Sequence, residues 1–245
     1  MYNTFIFQPL YNGLVSLMNI PGVDLGMAVI LFTVIIRLIL FPLSKSALLT
    51  QVRMKAVEPE LNKIKAQYAN DKQVQGQKMM ELYKSHGIKP FSGILLLIIQ
   101  LPILLALIGV FYKIVPSVDV GLLYSFVHVP VASTTFLGIN IIGKSLILSI
   151  LTGVIQYFQL HYSLASHQQR LAIKNNPLPA GTKPDFASSM NNQMKYLMPL
   201  LAFASTYWII PAKLPQAASI IAIYWSVSTL FTLAQELYIR KKHLQ

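Results

Sequence analysis

Cysteine is absent from this sequence of 245 residues, and charged residues make up only 11% of it. Without cysteine the chain forms no disulfides, has no thiol chemistry and carries no lipid-modified N-terminal cysteine. Soluble domains are about 25% charged. Here hydrophobic residues reach 54% and the mean hydropathy is +0.55. These values, together with apolar runs of about 20 residues, are typical of a polytopic membrane protein.

Acidic residues are also scarce, with eight Asp and Glu against twenty Lys and Arg. Within the apolar runs they are confined to the ends, at Asp24 and Glu236. Proton-coupled transporters usually use carboxylates inside the membrane, so this class loses support. HExxH, GxSxG and Walker motifs are missing, and the five histidines lack metal-ligand spacing. We therefore expect neither an enzyme nor a metal or other cofactor.

Five runs approach the roughly 20 residues that a bilayer-spanning helix requires. The sequence predicts an all-α polytopic membrane protein. Its predicted parts are an outer interfacial amphipathic helix (1–23), span 1 (24–43), a cytoplasmic helical hairpin (44–90), span 2 (91–115), an outer loop (116–140), span 3 (141–162), a cytoplasmic loop (163–193), span 4 (194–210), an outer turn (211–215), span 5 (216–238) and a cytoplasmic tail (239–245).

The orientation follows from Lys and Arg, which accumulate on the cytoplasmic side. Nine lie in 44–90, four in the segment around the second cytoplasmic loop, up to Lys195, and three at 240–242. The opposite side has Lys113, Lys144 and Lys213. We predict a plasma membrane protein of bacterial type with its N-terminus outside and its C-terminus in the cytoplasm. The net charge of +12 then indicates contact with anionic phospholipids rather than specific nucleic acid binding.

The first cytoplasmic loop has an apolar stripe at spacings of 3, 4, 3 and 4: Met54, Val57, Leu61, Ile64 and Tyr68. A second helical stretch follows at 72–85. The two stretches predict an antiparallel hairpin. Pro59 should kink or restart the first helix. The stripe is either the hairpin's own seam or a face that binds a partner.

Arg37 interrupts a charge-free run from Gly26 to Leu43. An arginine facing lipid costs about 2.5–3.5 kcal/mol on insertion scales. One interpretation is that Arg37 reaches the cytoplasmic interface with its long side chain. However, side chains on a helix lean towards its N-terminus, which here is the outer side. The other interpretation is a cavity open to the cytoplasm, where a lone cation attracts something anionic or strongly polar.

Neutral polar residues also lie at membrane depth. Ser and Thr in spans commonly serve helix packing, whereas glutamines are costlier to bury and are candidates to face water. Trp225 lies deeper in its span than an interfacial aromatic belt. The candidate groove residues are Arg37, Gln100, Gln156, Gln159, Thr206, Trp225 and Ser228.

Several segments resemble the YidC family of membrane protein insertases. They are TVIIRLILFPLSKSALLTQVRMKAVEPELNKIKAQY (33–68), QLPILLAL (100–107), TGVIQYFQ (152–159), MKYLMPLL (194–201) and YWSVSTLFTLAQE (224–236). The resemblance implies five spans around a hydrophilic groove that is open to the cytoplasm and to lipid. It also implies a cytoplasmic hairpin, insertion of nascent membrane proteins, and the ribosome and the Sec translocon as partners. Arg37 and Trp225 match groove positions of the family, and either Gln156 or Gln159 matches a third.

Two departures from the family pattern stand out. The family often enters span 2 through NPxxGCLP, where this chain has KPFSGILL at 89–96. The short RKKHLQ tail lacks the long basic extension of some members. With no large outer domain or signal sequence expected, the chain resembles a minimal member.

The resemblance implies a mechanism in which a client's short polar tail enters the groove and its apolar segment passes into lipid between spans 3 and 5. Two other functions are compatible with the residues alone. A small anion transporter would use Arg37 as its binding site, but no internal repeat supports this class. A scaffold or assembly factor would use the hairpin to recruit partners.

Overall fold

The computed structural model describes residues 2–114, 117–130, 134–163 and 186–243, and most of these residues are helical. Helices are expected here because a bilayer offers no water to the backbone, so its N–H and C=O groups must bond within the chain. Most of the predicted cytoplasmic loop, residues 164–185, lies outside the described residues.

Within the described ranges the α-helices form ten elements along the chain. They are α1 Gln8–Met18, α2 Leu25–Ile39, α3 Phe41–Ala56, α4 Glu58–Gln67, α5 Lys72–Ser85, α6 Ser92–Ile114, α7 Leu146–Tyr162, α8 Phe186–Ala204, α9 Ile210–Lys213 and α10 Ala218–His243. A π-helical turn, Asn3–Phe7, precedes α1, and a second, Ser205–Ile209, joins α8 to α9. Short 3-10 turns lie at Val120–Leu122 and Pro215–Ala217.

The prediction of an all-α chain is wrong in one place. Within the segment predicted as outer loop, β1 (Thr135–Phe136) pairs with β2 (Ile139–Asn140) in an antiparallel hairpin. Both residues of its two-residue turn have positive φ, 51° at Leu137 and 77° at Gly138. Such turns match the twist of the flanking strands, and glycine adopts this conformation without strain.

Two described helical segments are long and apolar enough to cross a membrane, Ser92–Ile114 and Pro215–Lys242. A third is counted if Leu25–Ile39 and Phe41–Met54, which are separated by a break at Leu40, form one span. The helix α7 is apolar but has 17 residues. The described residues thus contain two or three candidate spans by length and composition, and the number of five stays a prediction.

The helix ends differ from the predicted span ends. The helix α8 begins at Phe186, eight residues before the predicted start at 194, and helical structure continues to Lys213, past the predicted end at 210. The helix α10 extends to His243, beyond the predicted end at 238. Hydropathy indicates where apolar residues stop, whereas backbone hydrogen bonding can continue into polar sequence. The predicted turn at 211–215 shrinks because Pro211 lies in a first helical turn, where its missing N–H costs little.

The chain forms two compact units. The first comprises Met1–Ile39, Ile99–His161 and Pro184–Leu233, as far as these segments are described. In it α1 packs on α2, and Gly13 permits a close approach because a Cβ there would lie 3.0 Å from the Phe32 ring. Tyr11, Leu14 and Val15 are fully buried. The buried face of α1 therefore belongs to the core of this unit.

Polar side chains of α1 hold the segment that follows α6. The buried Asn12 accepts a hydrogen bond from Tyr124 N (2.7 Å) and donates one to Leu122 O (2.9 Å). The Tyr11 hydroxyl accepts one from Asp119 N (2.6 Å). Burial raises the pKa of Tyr11, which keeps this hydroxyl protonated. Two neighbouring residues of α1 thus satisfy backbone groups in and around the 3-10 turn Val120–Leu122.

The variant Asn12→Ala should lower the stability of the protein by about 1–3 kcal/mol, because it removes the side-chain acceptor of Tyr124 N and one of the two side-chain donors to Leu122 O. Thermal unfolding of the detergent-solubilised protein measures this loss. The control is Asn19→Ala, which removes an exposed bond to His128 O (2.8 Å) and should cost less. Equal effects of the two variants would contradict a special role of Asn12.

The second unit comprises Leu40–Ile98, Tyr162–Lys183 and Ala234–Gln245, as far as these segments are described. Here α4 and α5 form a helical hairpin, with Pro59 in the first turn of α4 and Asp71 capping α5 through bonds to Gln73 N (3.1 Å) and Val74 N (3.0 Å). The helix is interrupted between α3 and α4, where the sequence predicted a kink or restart at Pro59.

Apolar residues from both helices make the small core of this hairpin. Val57, Leu61 and Ile88 are buried, and they pack with the partly buried Met54, Met79, Leu82 and Tyr83. Ile64 and Tyr68, which the stripe predicted for the same seam, lie outside this cluster, and Ile88 supplies the third buried residue. The hairpin therefore closes nearer to its base than the stripe indicates.

The variant Leu61→Asp should unfold the hairpin, because it places a carboxylate in this core at a cost of several kcal/mol. The variant Glu60→Lys changes a charge on an exposed neighbour and should be mild. Limited proteolysis between residues 57 and 88 of the intact protein would reveal the difference. If both variants are cleaved at the same rate, the cluster around Leu61 does not hold the hairpin together.

Candidate functional site

Arg37 lies in the last turn of α2 and reaches α10. Its Nε donates a hydrogen bond to Ser228 Oγ at 2.8 Å, and its Nη2 donates to the same oxygen. A hydroxyl oxygen has two lone pairs and can accept both bonds. The guanidinium is therefore held within the first unit by a neutral hydroxyl, which supplies no negative charge to compensate it.

The sequence-predicted residues come together around a cavity of about 410 Å³ in the first unit. Arg37 of α2, Gln100 of α6, Gln156 and Gln159 of α7, and Trp225 and Ser228 of α10 all line it. The rest of the lining mixes apolar and polar groups: Leu104, Ile108, Ile210, Ile221, Tyr224, Thr229 and Thr232. Six of the seven candidate residues thus share one cavity.

Thr206 is the candidate that does not line the cavity. It is buried, with 1% of its surface exposed, and its hydroxyl donates to Ala202 O (3.0 Å) and Phe203 O (3.1 Å) of its own helix. Bonds of this kind satisfy a threonine inside an apolar helix without any ligand. The structure therefore gives Thr206 a local structural role and places it apart from the other six.

One wall of the cavity carries a chain of hydrogen bonds. Trp225 Nε1 donates to Gln156 Oε1 (3.3 Å), and Gln156 Nε2 donates to Gln159 Oε1 (3.2 Å). Both glutamines of α7 therefore face the cavity and are joined to each other. The sequence left open which of Gln156 and Gln159 faces the groove. Both line the cavity, because their i, i+3 spacing puts them on one face of α7.

A buried contact fixes α7 to α10 beside this chain. Thr152 Oγ1 and Ser226 Oγ lie 2.9 Å apart, and Thr152 Oγ1 also donates to Leu148 O (2.8 Å). Thr152 and Ser226 are buried and do not line the cavity. This contact sets the position of Gln156, one turn further along α7, relative to Trp225.

Tyr224 is a cavity residue that the sequence analysis missed. Its hydroxyl accepts a hydrogen bond from Gln100 Nε2 at 3.4 Å, and its ring lies 6.1 Å from that of Phe111. The usable signal was the spacing on α10, because Ile221, Trp225, Ser228 and Thr232 recur at 4, 3 and 4 residues and mark one helix face. Tyr224 borders that face, four residues before Ser228.

The cavity lining contains one cation and no carboxylate among the described residues. Two ion pairs of the described residues, Lys78 with Glu81 (2.8 Å) and Lys113 with Asp119 (3.0 Å), lie outside the cavity lining. No group of His, Cys, Asp and Glu that could hold a metal occurs within the described ranges. The arrangement suits recognition of an anionic or hydrogen-bonding group.

Comparison with known proteins gives the family. The family model described as "60Kd inner membrane protein" matches residues 16–245. The chain belongs to this family. Its curated relatives carry the name membrane protein insertase YidC, so the resemblance drawn from the sequence is confirmed. Together with the apolar helices, membership makes the chain a multi-pass inner-membrane protein of the YidC family.

Three relatives illustrate the similarity. The YidC protein of Fusobacterium nucleatum is 29% identical over 219 residues, which cover 89% of this chain and 87% of the relative. That of Clostridium tetani is 29% identical over 227 residues, covering 92% and 86%. That of Ectopseudomonas mendocina is 30% identical over 238 residues, which cover 97% of this chain but 34% of the much longer relative.

Proposed function

We propose that this YidC-family chain is a membrane protein insertase whose cavity receives the short polar or acidic tail of a nascent membrane protein. Its relatives carry the insertase name. The observation that supports the cavity as the site is the state of Arg37, which is held by the hydroxyl of Ser228 and faces a lining without carboxylates in the described residues.

Electrostatic attraction draws the tail in. Two unit charges 4 Å apart attract each other by about 4 kcal/mol where the effective dielectric constant is about 20. An arginine that already had an ion-pair partner would offer little of this energy to a visiting carboxylate. Because Ser228 is neutral, the charge of Arg37 remains available to a client. Gln156, Gln159 and Trp225 add hydrogen-bonding groups for neutral polar residues.

Transfer of the client's apolar segment into lipid supplies the driving force, at about 25 cal/mol per Å² of apolar surface. The α7 helix offers a path, because its outer face is apolar and exposed: Leu146, Ile147, Ile150, Leu151 and Val154. We place the client's exit along α7 and α10, the helices predicted as spans 3 and 5. In this proposal the residues of the chain bind and orient the client, and transfer into lipid drives insertion. The proposal calls for no nucleotide, metal or catalytic group.

The proposal includes five spans and an N-terminus outside. The spans are formed by residues 24–43, which comprise α2 and the start of α3, and by α6, α7, α8 with its π-helical turn, and α10. The Lys and Arg asymmetry of 16 to 3 supports this orientation. It places the hairpin of α4 and α5 in the cytoplasm, where nascent chains emerge. The ribosome, the Sec translocon and anionic phospholipids are the partners we expect on that side.

The topology can be tested with single cysteines, since the chain has none of its own. Asn3→Cys, Ser117→Cys and Lys213→Cys should react with a membrane-impermeant maleimide in intact cells. Asn70→Cys and Lys241→Cys should react only after permeabilisation. Labelling of residue 70 from outside would overturn the orientation.

The role of Arg37 is tested by insertion of one single-span client into liposomes, with either two Asp or two Asn in its tail. Arg37→Ala should slow insertion of the Asp client about tenfold or more and affect the Asn client less, because the attraction is electrostatic. Arg37→Lys should retain much of the activity, since it keeps the charge. Arg37→Glu should be worse than Ala for the Asp client.

Arg37→Leu separates this proposal from an arginine that merely reaches the interface. An interfacial anchor predicts that leucine is harmless for both clients, and such a result would remove the cavity from the mechanism. Ser228→Ala is the matched control, because it removes the hydrogen-bond acceptor but keeps the charge. We expect it to retain the preference for the Asp client over the Asn client. Protein levels should be normal in all variants, since no described carboxylate loses a partner.

A further inference from the structure

The amide of Gln100 is only half satisfied. Its Nε2 donates to the Tyr224 hydroxyl at 3.4 Å, while its Oε1 is buried and has no hydrogen-bond partner among the described residues. Buried polar side-chain atoms are nearly always paired, because an unpaired one costs free energy. Gln100 lines the same cavity as Arg37, and its unpaired oxygen is covered by surrounding side chains, so a ligand in the cavity must displace part of that cover to pair with it.

The surroundings of Gln100 hold the amide in place. Tyr224 is 7% exposed and packs against Phe111, with ring centres 6.1 Å apart. The other α6 residues in the cavity lining, Leu104 and Ile108, lie one and two turns further along the same face and are apolar. Gln100 is therefore the polar group on the α6 wall, and Tyr224 is the residue that positions it.

We infer that Gln100 pairs with a peptide group of the client's main chain, an inference that rests on the proposed entry of the client tail into this cavity. A polypeptide that leaves water carries an N–H and a C=O at each residue, and each group needs a partner in an apolar setting. A carboxamide is the side-chain counterpart of a peptide group. It pairs with a peptide bond whichever of its two ends is free, because both groups carry a donor and an acceptor.

This contact divides the recognition of clients between two walls of the cavity. Arg37 is charged and responds to acidic side chains of the tail. Gln100 is neutral and responds to the main chain, which every client has. Gln100 therefore contributes to insertion independently of tail charge, and it gives neutral tails a binding group that Arg37 does not provide.

The test uses the full-length protein in liposomes and the same two clients, with Asp or Asn in the tail. Gln100→Met keeps the length of the side chain but cannot form the hydrogen bond. It should slow insertion of both clients by the same factor, roughly three- to tenfold, the range that one neutral hydrogen bond supplies. Leu104→Met is the matched control, a change between apolar residues on the same wall, and should leave both rates near those of the wild type.

Thermal unfolding separates binding from folding. Replacing an unsatisfied buried amide with an apolar side chain of similar size should leave the melting temperature of Gln100→Met unchanged or raise it. A marked fall would mean that the amide has a structural role and would overturn the inference. Tyr224→Phe removes the positioning hydroxyl, and it should slow both clients in the same way as Gln100→Met, but less.

Two outcomes of the rate measurement distinguish this inference from the proposed function. In the first outcome, Arg37→Ala slows the Asp client more than the Asn client, while Gln100→Met changes neither rate or slows only the Asp client. Main-chain pairing is then wrong and the insertase proposal stands. If the wild-type protein inserts neither client, both proposals fail together.

Discussion

A permanent cation among apolar helices is the constraint on which the site depends. Burying a guanidinium is costly, and proteins commonly compensate for it with a carboxylate. Here Arg37 is held by Ser228, which supplies an oxygen but no charge. The hydroxyl fixes the direction of the side chain and leaves its electric field acting on the cavity. A carboxylate at the same position would satisfy Arg37 more fully and would remove the attraction that the proposed function needs.

The helix α10 brings the parts of this site together. Its residues Tyr224, Trp225 and Ser228 hold, in turn, Gln100 of α6, Gln156 of α7 and Arg37 of α2. Ser226, on a different face, makes the buried contact with Thr152 of α7. Four residues within five positions of one helix thus orient polar groups from three others. The rigidity of a long helix allows this, since side chains on adjacent faces keep fixed directions relative to one another.

Much of the site could be predicted from the sequence, because a polar residue in an apolar run is conspicuous. Arg37, the three glutamines, Trp225 and Ser228 were identified this way and share the cavity. Thr206 does not line the cavity, since a threonine can satisfy itself within its own helix and its sequence carries no sign of which way it points. The same reasoning missed Tyr224, because a tyrosine in an apolar run does not stand out as a polar residue. The fold shows a similar division: α5 occupies the predicted range of 72–85, with Asp71 as its cap, whereas the ends of α8 and α10 depend on hydrogen bonding that hydropathy does not report.

Two polar side chains of the cavity, Arg37 and Gln100, have incomplete sets of interactions, and the attraction that each exerts on a ligand differs in range and selectivity. Arg37 has hydrogen bonds to Ser228 but no carboxylate beside it in the cavity lining of the described residues. Its attraction for a ligand therefore acts over several ångströms and selects by charge. Gln100 has one bond and one unpaired atom, so its attraction needs direct contact and selects by hydrogen-bonding geometry. Local rules for a stable interior are broken at both residues, and departures of this kind tend to concentrate where a protein acts on its ligand. In the proposed function, the long-range charge of Arg37 on α2 draws a polypeptide into the cavity, and the short-range amide of Gln100 on α6 then holds its backbone.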